Sequence, residues 1–271
     1  GSVSDIFVNW RYLQQLNSNI NNLLLIELGA DTTLKNFPLH SIIFSQFDYL
    51  AKNMKNYLLI FFLFSFLIPF IFYLSLKEKF KNIDNLDLLV LASIIIIFPS
   101  FQYSAIWGNS HNTSLIFFIL SILFHQKLIN QNYNSYNLQI LTVFSLSLAA
   151  YTKQFYVFFF IFLLLDFFKN LKISNFIFIL LFTTILAVPG ILFLIKNPLL
   201  FFGYKGETTN FFSSILISSS IIFFYLLPFI IQEIYSKVKQ NNFNILSIFN
   251  YKIFTFSVLI FLISFVNFFY N

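Results

Sequence analysis

A chain of 271 residues that is 58% hydrophobic, 22% aromatic and only 10% charged is not an ordinary soluble domain. Its net charge of +6 comes from fifteen lysines and one arginine against ten carboxylates. That balance reads as cationic loops on the cytoplasmic side of a membrane, with no nucleic-acid partner. The absence of cysteine excludes disulfides, thiolate metal sites and cysteine nucleophiles.

Apolar segments of roughly 20 residues recur, the length a helix needs to cross a hydrocarbon core of about 30 Å. Barrel strands would alternate in segments of about 10 residues, which this sequence does not do. The expected fold is all-α: a polytopic helical membrane protein with about eight transmembrane helices. An N-terminal outer-face section, residues 1–56, precedes the transmembrane domain, residues 57–271. The chain opens on Gly1 without a signal peptide and stops at Asn271 just after an apolar run. It reads as a fragment that lacks the first transmembrane helix.

In chain order, Ile6, Phe7, Trp10, Leu13 and Leu16 fall near helical spacing. Trp10 and Tyr12 suit a membrane–water boundary. The turn-rich "LGADTTLKNFP" follows, then a second short amphipathic candidate from His40 to Leu50 with Pro38 near its start. This section reads as interfacial helices joined by a loop. Spans are then expected at about 57–76, 88–106, 112–127, 138–151, 155–169, 174–196, 210–234 and 253–270.

The run from Leu138 to Phe168 is long for one span and short for two. If it is two short helices hinged near Thr152–Gln154, nine lysines between Lys77 and Lys252 fall on one side. The opposite short loops then hold only Lys153, Lys196 and Lys205. A single span would move five of the nine across and erase the bias. The hairpin is therefore expected, with the nine-lysine side cytoplasmic. Residues 1–56, the 102–113 loop, Lys153–Gln154 and the 197–209 loop then share the outer side.

Four polar features meet there. Asp5 is either a helix N-cap, or a general base or metal-binding carboxylate at the membrane surface. His40 is either a surface residue of an interfacial helix or a proton shuttle and phosphate contact. "SFQYSAIWGNSHNTS" carries Gln102, Tyr103, Trp107, Asn109, His111 and Asn112. Such amides and aromatic faces suit a sugar, although Gly108 and Asn109 also make a plain turn. Lys153 either snorkels to headgroups or holds a lipid phosphate, with Gln154 and Lys205 beside it. No phosphate-cradling glycine loop, no histidine pair at zinc spacing and no nucleophile elbow occur in the sequence.

The layout resembles the multi-spanning GT-C glycosyltransferases, of the bacterial, dolichyl-phosphate-mannosyltransferase-like kind. "VSDIFVNWRYLQQL" and "TTLKNFPLHSIIFS" are similar to the first outer loop of that class, with its acidic residue and juxtamembrane helices. "QYSAIWGNSHNTSLIFFIL" and "AAYTKQFYVFF" are similar to segments of its bacterial members. The resemblance covers most of residues 1–170. It departs in lacking the first transmembrane helix and in having a single acidic residue, Asp5, where the class often has a pair. Whether Asp31 supplies a second carboxylate stays open.

The resemblance implies a sugar moved, with inversion, from a polyprenyl-phosphate donor to a lipid, glycan or protein acceptor. Asp5 would deprotonate the acceptor hydroxyl. Lys153 would offset the leaving phosphate, with His111 or His40 as helper donors. The sugar would sit under Gln102–Asn112, and Arg11 would join the substrate contacts. No cofactor is required; Asp5 and Asp31 could hold a divalent ion, which the sequence itself does not call for. The expected location is a bacterial inner membrane with the site facing the periplasm. Two other classes compete: a flippase or transporter of a lipid-linked sugar, and a non-catalytic membrane subunit.

Overall fold

The computed structural model describes residues 10, 13, 14, 16–18 and 38–196. Asp5, Arg11, Asp31, Lys205 and the expected spans 210–234 and 253–270 lie outside the described residues. Among those described, every regular element is helical.

The second amphipathic candidate is two short helices, α1 (Leu39–Ser45) and α2 (Asp48–Lys52), separated at Gln46–Phe47. Asn17 ties them down: its Nδ2 donates to the Ser45 carbonyl at 2.7 Å and to Asp48 Oδ1 at 2.9 Å. Their apolar side chains, Phe44, Leu50 and Ala51, bury against Leu13, Tyr57 and Phe61. Trp10 packs on the same cluster.

Asn53 then starts α3 (Met54–Ser65), its side chain accepting the Lys55 N–H at 3.0 Å. After a one-residue offset at Phe66 comes α4 (Leu67–Lys79). The next span is bent. α5 (Asn85–Ser93) passes through a 3₁₀ turn, Ile94–Ile97, and meets α6 (Pro99–Trp107) at 65°. The cause is Pro99: it cannot donate into the preceding turn, and it holds Phe98 extended at φ −64°, ψ 127°.

α7 (Ser110–Asn130) and α8 (Tyr136–Thr152) form the centre of the bundle. Their connection turns tightly, with Asn132 at φ 49° and Tyr133 at φ 61°. Small residues on α8 (Ser145, Ala149 and Ala150) are buried, and Ser121 Oγ of α7 donates to the Thr142 carbonyl at 2.9 Å. Close backbone approach through small residues is how helices pack where water supplies no driving force. Ser65, Thr142, Ser147 and Thr152 each return a hydroxyl to the carbonyl four residues back, so none is left bare in an apolar layer.

The expected reversal at 152–154 is present. α8 ends at Thr152, Lys153 is extended at φ −141°, ψ 112°, and a 3₁₀ turn, Gln154–Phe158, leads into α9 (Phe159–Asn170). α9 runs back along α7 and α8: Leu163 and Phe167 pack with Leu128, Val143 and Leu146. At the far end Asp166 accepts from Tyr133 OH at 2.6 Å and pairs with His125 Nε2 at 2.9 Å. Asn170 Nδ2 closes the cluster on Asp166 Oδ1 at 3.0 Å. α10 (Ile173–Lys196) then returns, its Asn175 accepting from Tyr136 OH at 2.7 Å near its start. Near its end the Tyr151 hydroxyl donates to the Leu186 carbonyl and accepts the Gly190 N–H, bridging the helix ladder beside Pro189.

The bundle thus has two ends. Asn130 Nδ2 on Glu78 at 3.0 Å joins the ends of α4 and α7, and His125 of α7 joins them to Asp166. Six of the nine expected cytoplasmic lysines (Lys77, Lys79, Lys81, Lys127, Lys169 and Lys172) cap or follow helices ending there. The opposite end holds α1, α2, Gly108 and Lys153.

Among the described residues, three helical segments are long and apolar enough to cross a membrane: Met54–Lys79, Ser110–Asn130 and Ile173–Phe193. The bent pair Asn85–Ile97 and Pro99–Trp107 makes a fourth if it is one span. The expected spans at 138–151 and 155–169 are helices of 17 and 12 residues, about 25 and 18 Å long. Neither reaches across alone. Outward faces are apolar, as at Ile161, Phe162 and Leu165 of α9 and Leu181 and Ile185 of α10. Such faces suit lipid contact.

Candidate functional site

Gly108 organises the Lys153 end. It stops α6 in the left-handed conformation, φ 62°, ψ 33°. The chain turns and restarts at Asn109, φ −83°, ψ 144°, as α7. Ser104 staples this corner. Its Oγ donates to the Asn109 carbonyl at 2.7 Å and accepts the Asn112 N–H at 3.1 Å. Asn109 N–H returns to the Ser104 carbonyl at 3.0 Å.

Tyr57 lies directly over Gly108. Its hydroxyl donates to the Gly108 carbonyl at 2.5 Å. That use of the only phenolic proton assigns the neighbouring histidine. His40 Nε2 is 2.8 Å from Tyr57 OH, so Nε2 must carry the hydrogen and donate. Nδ1 is then the acceptor, and Thr113 Oγ1 donates to it at 2.8 Å. The chain of bonds runs Thr113, His40, Tyr57, Gly108. Burial first, and the positive charge of Lys153 second, push His40 down to about 3. It is neutral at any physiological pH.

A β-carbon at Gly108 would stand 2.5 Å from Tyr57 Cε1 and 2.9 Å from its hydroxyl, at a φ that L-residues avoid. Gly108→Ala is therefore expected to destabilise the protein by about 2–4 kcal/mol through combined overpacking and backbone strain. Thermal unfolding in detergent measures it; a midpoint equal to wild type would contradict the packing described.

Lys153 is 4% exposed. Burial pulls its ammonium down to about 8. Among the described residues the ion pairs are Lys52–Asp48, His125–Asp166 and Lys127–Glu78; none gives Lys153 a carboxylate. Its charge acts on both His40 and His111, and Tyr156, three residues on, packs its ring on Phe118 of α7 at 4.8 Å, so the hairpin tip packs on the N-terminal half of α7. Tyr156 also lies beside Ser114 of that half. A snorkelling lysine would hold its head out in the headgroups. This one is enclosed by protein.

The expected site residues divide accordingly. His111 and Lys153 come together at the start of α7, with His111 exposed. Asn109, half-buried, forms the corner between α6 and α7. Asn112 is buried, and its Nδ2 donates to Ser65 Oγ at 3.0 Å and to the Phe101 carbonyl at 3.2 Å. It braces α3, α6 and α7 from within. His40, read as either a surface group or a phosphate contact, is buried with both ring nitrogens engaged inside the protein. Gln102 is exposed and returns its Nε2 to the Ile96 carbonyl at 3.2 Å, across the bend of the broken span. Tyr103 and Trp107 are half-buried ring neighbours, 6.4 Å apart at 49°. Gln154 is half-buried in the 3₁₀ turn after Lys153. Asp5, Arg11, Asp31 and Lys205 are among the residues outside the described set.

Tyr57, Ser65, Ser104 and Thr113, which organise the site, carry no sequence signal of that role. A hydroxyl in an apolar helix looks the same whether it bonds its own turn or another helix. The His125–Tyr133–Asp166–Asn170 cluster was partly legible, since Asp166 and Asn170 are four apart on one helix face. Comparison of the chain with protein-family models, with curated proteins and with solved structures gives no match, so the functional reading rests on the chemistry of the Lys153 end.

Proposed function

We propose that the chain is a membrane glycosyltransferase that moves a sugar from a polyprenyl-phosphate donor to an acceptor. The observation that carries the reading is Lys153: a buried ammonium with no ion-pair carboxylate among the described residues, at one end of an apolar bundle, near the polar start of α7. An unpaired buried cation is costly and calls for an anion. Apolar helices around it favour an anion carried on a lipid. Phosphate leaving from the anomeric carbon gains charge as the bond breaks, and a preorganised ammonium offsets that charge.

In this reading the acceptor hydroxyl loses its proton to Asp5 as its oxygen attacks the anomeric carbon. The sugar–phosphate bond breaks with inversion, and the phosphate departs on its lipid. His111, exposed beside Lys153, is the histidine left to donate to the phosphate. Trp107 and Tyr103 offer aromatic faces for the sugar. The site faces the periplasm of a bacterial inner membrane, opposite the lysine-rich end.

The test is in vitro transfer by the complete protein from a panel of polyprenyl-phosphate sugars, with crude membrane lipid and glycan as acceptors. Sugar transfer from at least one donor is expected. Failure with every donor, from protein that is folded and monodisperse, would count against an enzyme.

A further inference from the structure

α10 is held differently on the two sides of Pro189. Before the proline, Ile179 is buried with Val143, Leu146, Leu163 and Phe167, and Phe176, Phe182 and Leu186 pack on that cluster. Beyond it no described residue joins the cluster. Phe193 is buried outside it, and Ile191, Leu192 and Ile195 are exposed. Pro189 has no N–H to give the Ile185 carbonyl, and its ring crowds that carbonyl. Sharp helix bends gather at such prolines. Residues 190–196 are thus a short arm on a weak joint.

Tyr151, in the last turn of α8, spans the joint. Its hydroxyl donates to the Leu186 carbonyl and accepts the Gly190 N–H at 3.0 Å. Leu186 and Gly190 are four residues apart, so they are each other's partners in an α-helical ladder. The hydroxyl therefore grips the ladder on both sides of Pro189. Gly190 lets the phenol come this close: a β-carbon there would stand 3.1 Å from Tyr151 Cε1 and 3.4 Å from its hydroxyl. The grip is reversible in apolar surroundings. When the phenol withdraws, Leu186 and Gly190 can bond each other, and neither backbone group is stranded. Tyr151 lies two residues before Lys153, so the arm is tied to the hairpin tip. We propose that Tyr151 is the latch of a hinged arm. Bonded, its hydroxyl holds residues 190–196 against the end of α8; released, the arm swings about Pro189 and opens the bundle sideways beside the hairpin tip. The latch does not depend on sugar transfer.

The sequence permits a clean test. It contains no cysteine, so one introduced cysteine takes a trifluoromethyl tag without background. Ile195→Cys, at a position 70% exposed, puts the tag on the arm. Leu181→Cys, at a position 59% exposed, puts it on the anchored part of α10 as the control. Fluorine NMR of the full chain in lipid nanodiscs then reads the populations at each place. Tyr151→Phe removes the hydroxyl and keeps the ring. Pro189→Ala removes the joint and restores the ladder.

With Tyr151 intact, the tag at 195 should give one dominant resonance. Tyr151→Phe should raise the minor population there about tenfold, the effect of two lost hydrogen bonds on a two-state equilibrium. The tag at 181 should not respond, which also reports that the bundle is folded. In the Pro189→Ala background, Tyr151→Phe should leave the tag at 195 unchanged. A resonance at 195 that ignores Tyr151→Phe would overturn the latch. An equal response at 181 would overturn it too, because all of α10 would then have loosened. So would an equal effect of Tyr151→Phe with and without Pro189, since the hydroxyl would then be a packing contact and not a latch on a joint.

Discussion

Replacing Lys153 by methionine is expected to strengthen the fold and to weaken lipid-phosphate binding by about ten- to a hundredfold. The two effects have one cause. Methionine keeps the volume and the unbranched stem, so packing at the hairpin tip changes little. What disappears is a buried charge that has no carboxylate partner among the described residues. Burial holds the ammonium at about 8 rather than its usual 10.5, a difference on the order of 3 kcal/mol at neutral pH. Folding disfavours the protonated form, so this cost is fully present below about 8. It is relieved as the pH rises from there toward 10.5, because the unfolded chain still holds the proton across that window. Wild-type stability should climb with pH in this range, while phosphate affinity falls as the ammonium is lost. Lys153→Met should show neither slope. Thermal midpoints and farnesyl monophosphate binding across the same pH series check both directions. A methionine variant that is less stable than wild type, or that binds the phosphate equally well, would mean that Lys153 is a packing element with an unrelated charge.

The hairpin was legible because charge patterning carries long-range information. The lysines from Lys77 to Lys172 report which helix ends lie together, and the Glu78–Asn130 and Tyr133–Asp166 contacts join those ends. Gly108 was legible as a turn because few residues other than glycine reach φ 62° cheaply. The number of crossings was not legible in the same way. Hydropathy rates α9 as apolar from Phe159 to Leu165, but a helix of 12 residues cannot span alone. Its length is set by the break at Lys153 and by the Asp166 cluster, neither of which hydropathy measures. The polar residues of 100–114 were visible as a group, but their individual duties were not. Asn112 and His111 are adjacent, and helical rotation sends one inward to Ser65 and leaves the other exposed. His40 likewise looked available, because the partners that bury and neutralise it, Tyr57 and Thr113, are 17 and 73 residues away in sequence.

If the Lys153 end of this bundle does chemistry, a base must take the proton of the acceptor hydroxyl. Asp5→Asn keeps the size and the capping oxygen of the side chain while removing its basicity, so the first amphipathic helix should still form. A general base usually contributes about 10²–10⁴-fold to rate. The deciding measurement is made on one vesicle preparation of the complete protein, with sugar transfer and transbilayer movement of the lipid-linked sugar followed in parallel. Wild type should transfer. Asp5→Asn should lose transfer by at least about 10²-fold with donor binding unchanged. Transfer that survives in Asp5→Asn would contradict Asp5 as the base. A wild-type protein that moves the lipid-linked sugar across the bilayer and transfers none would contradict the enzyme itself.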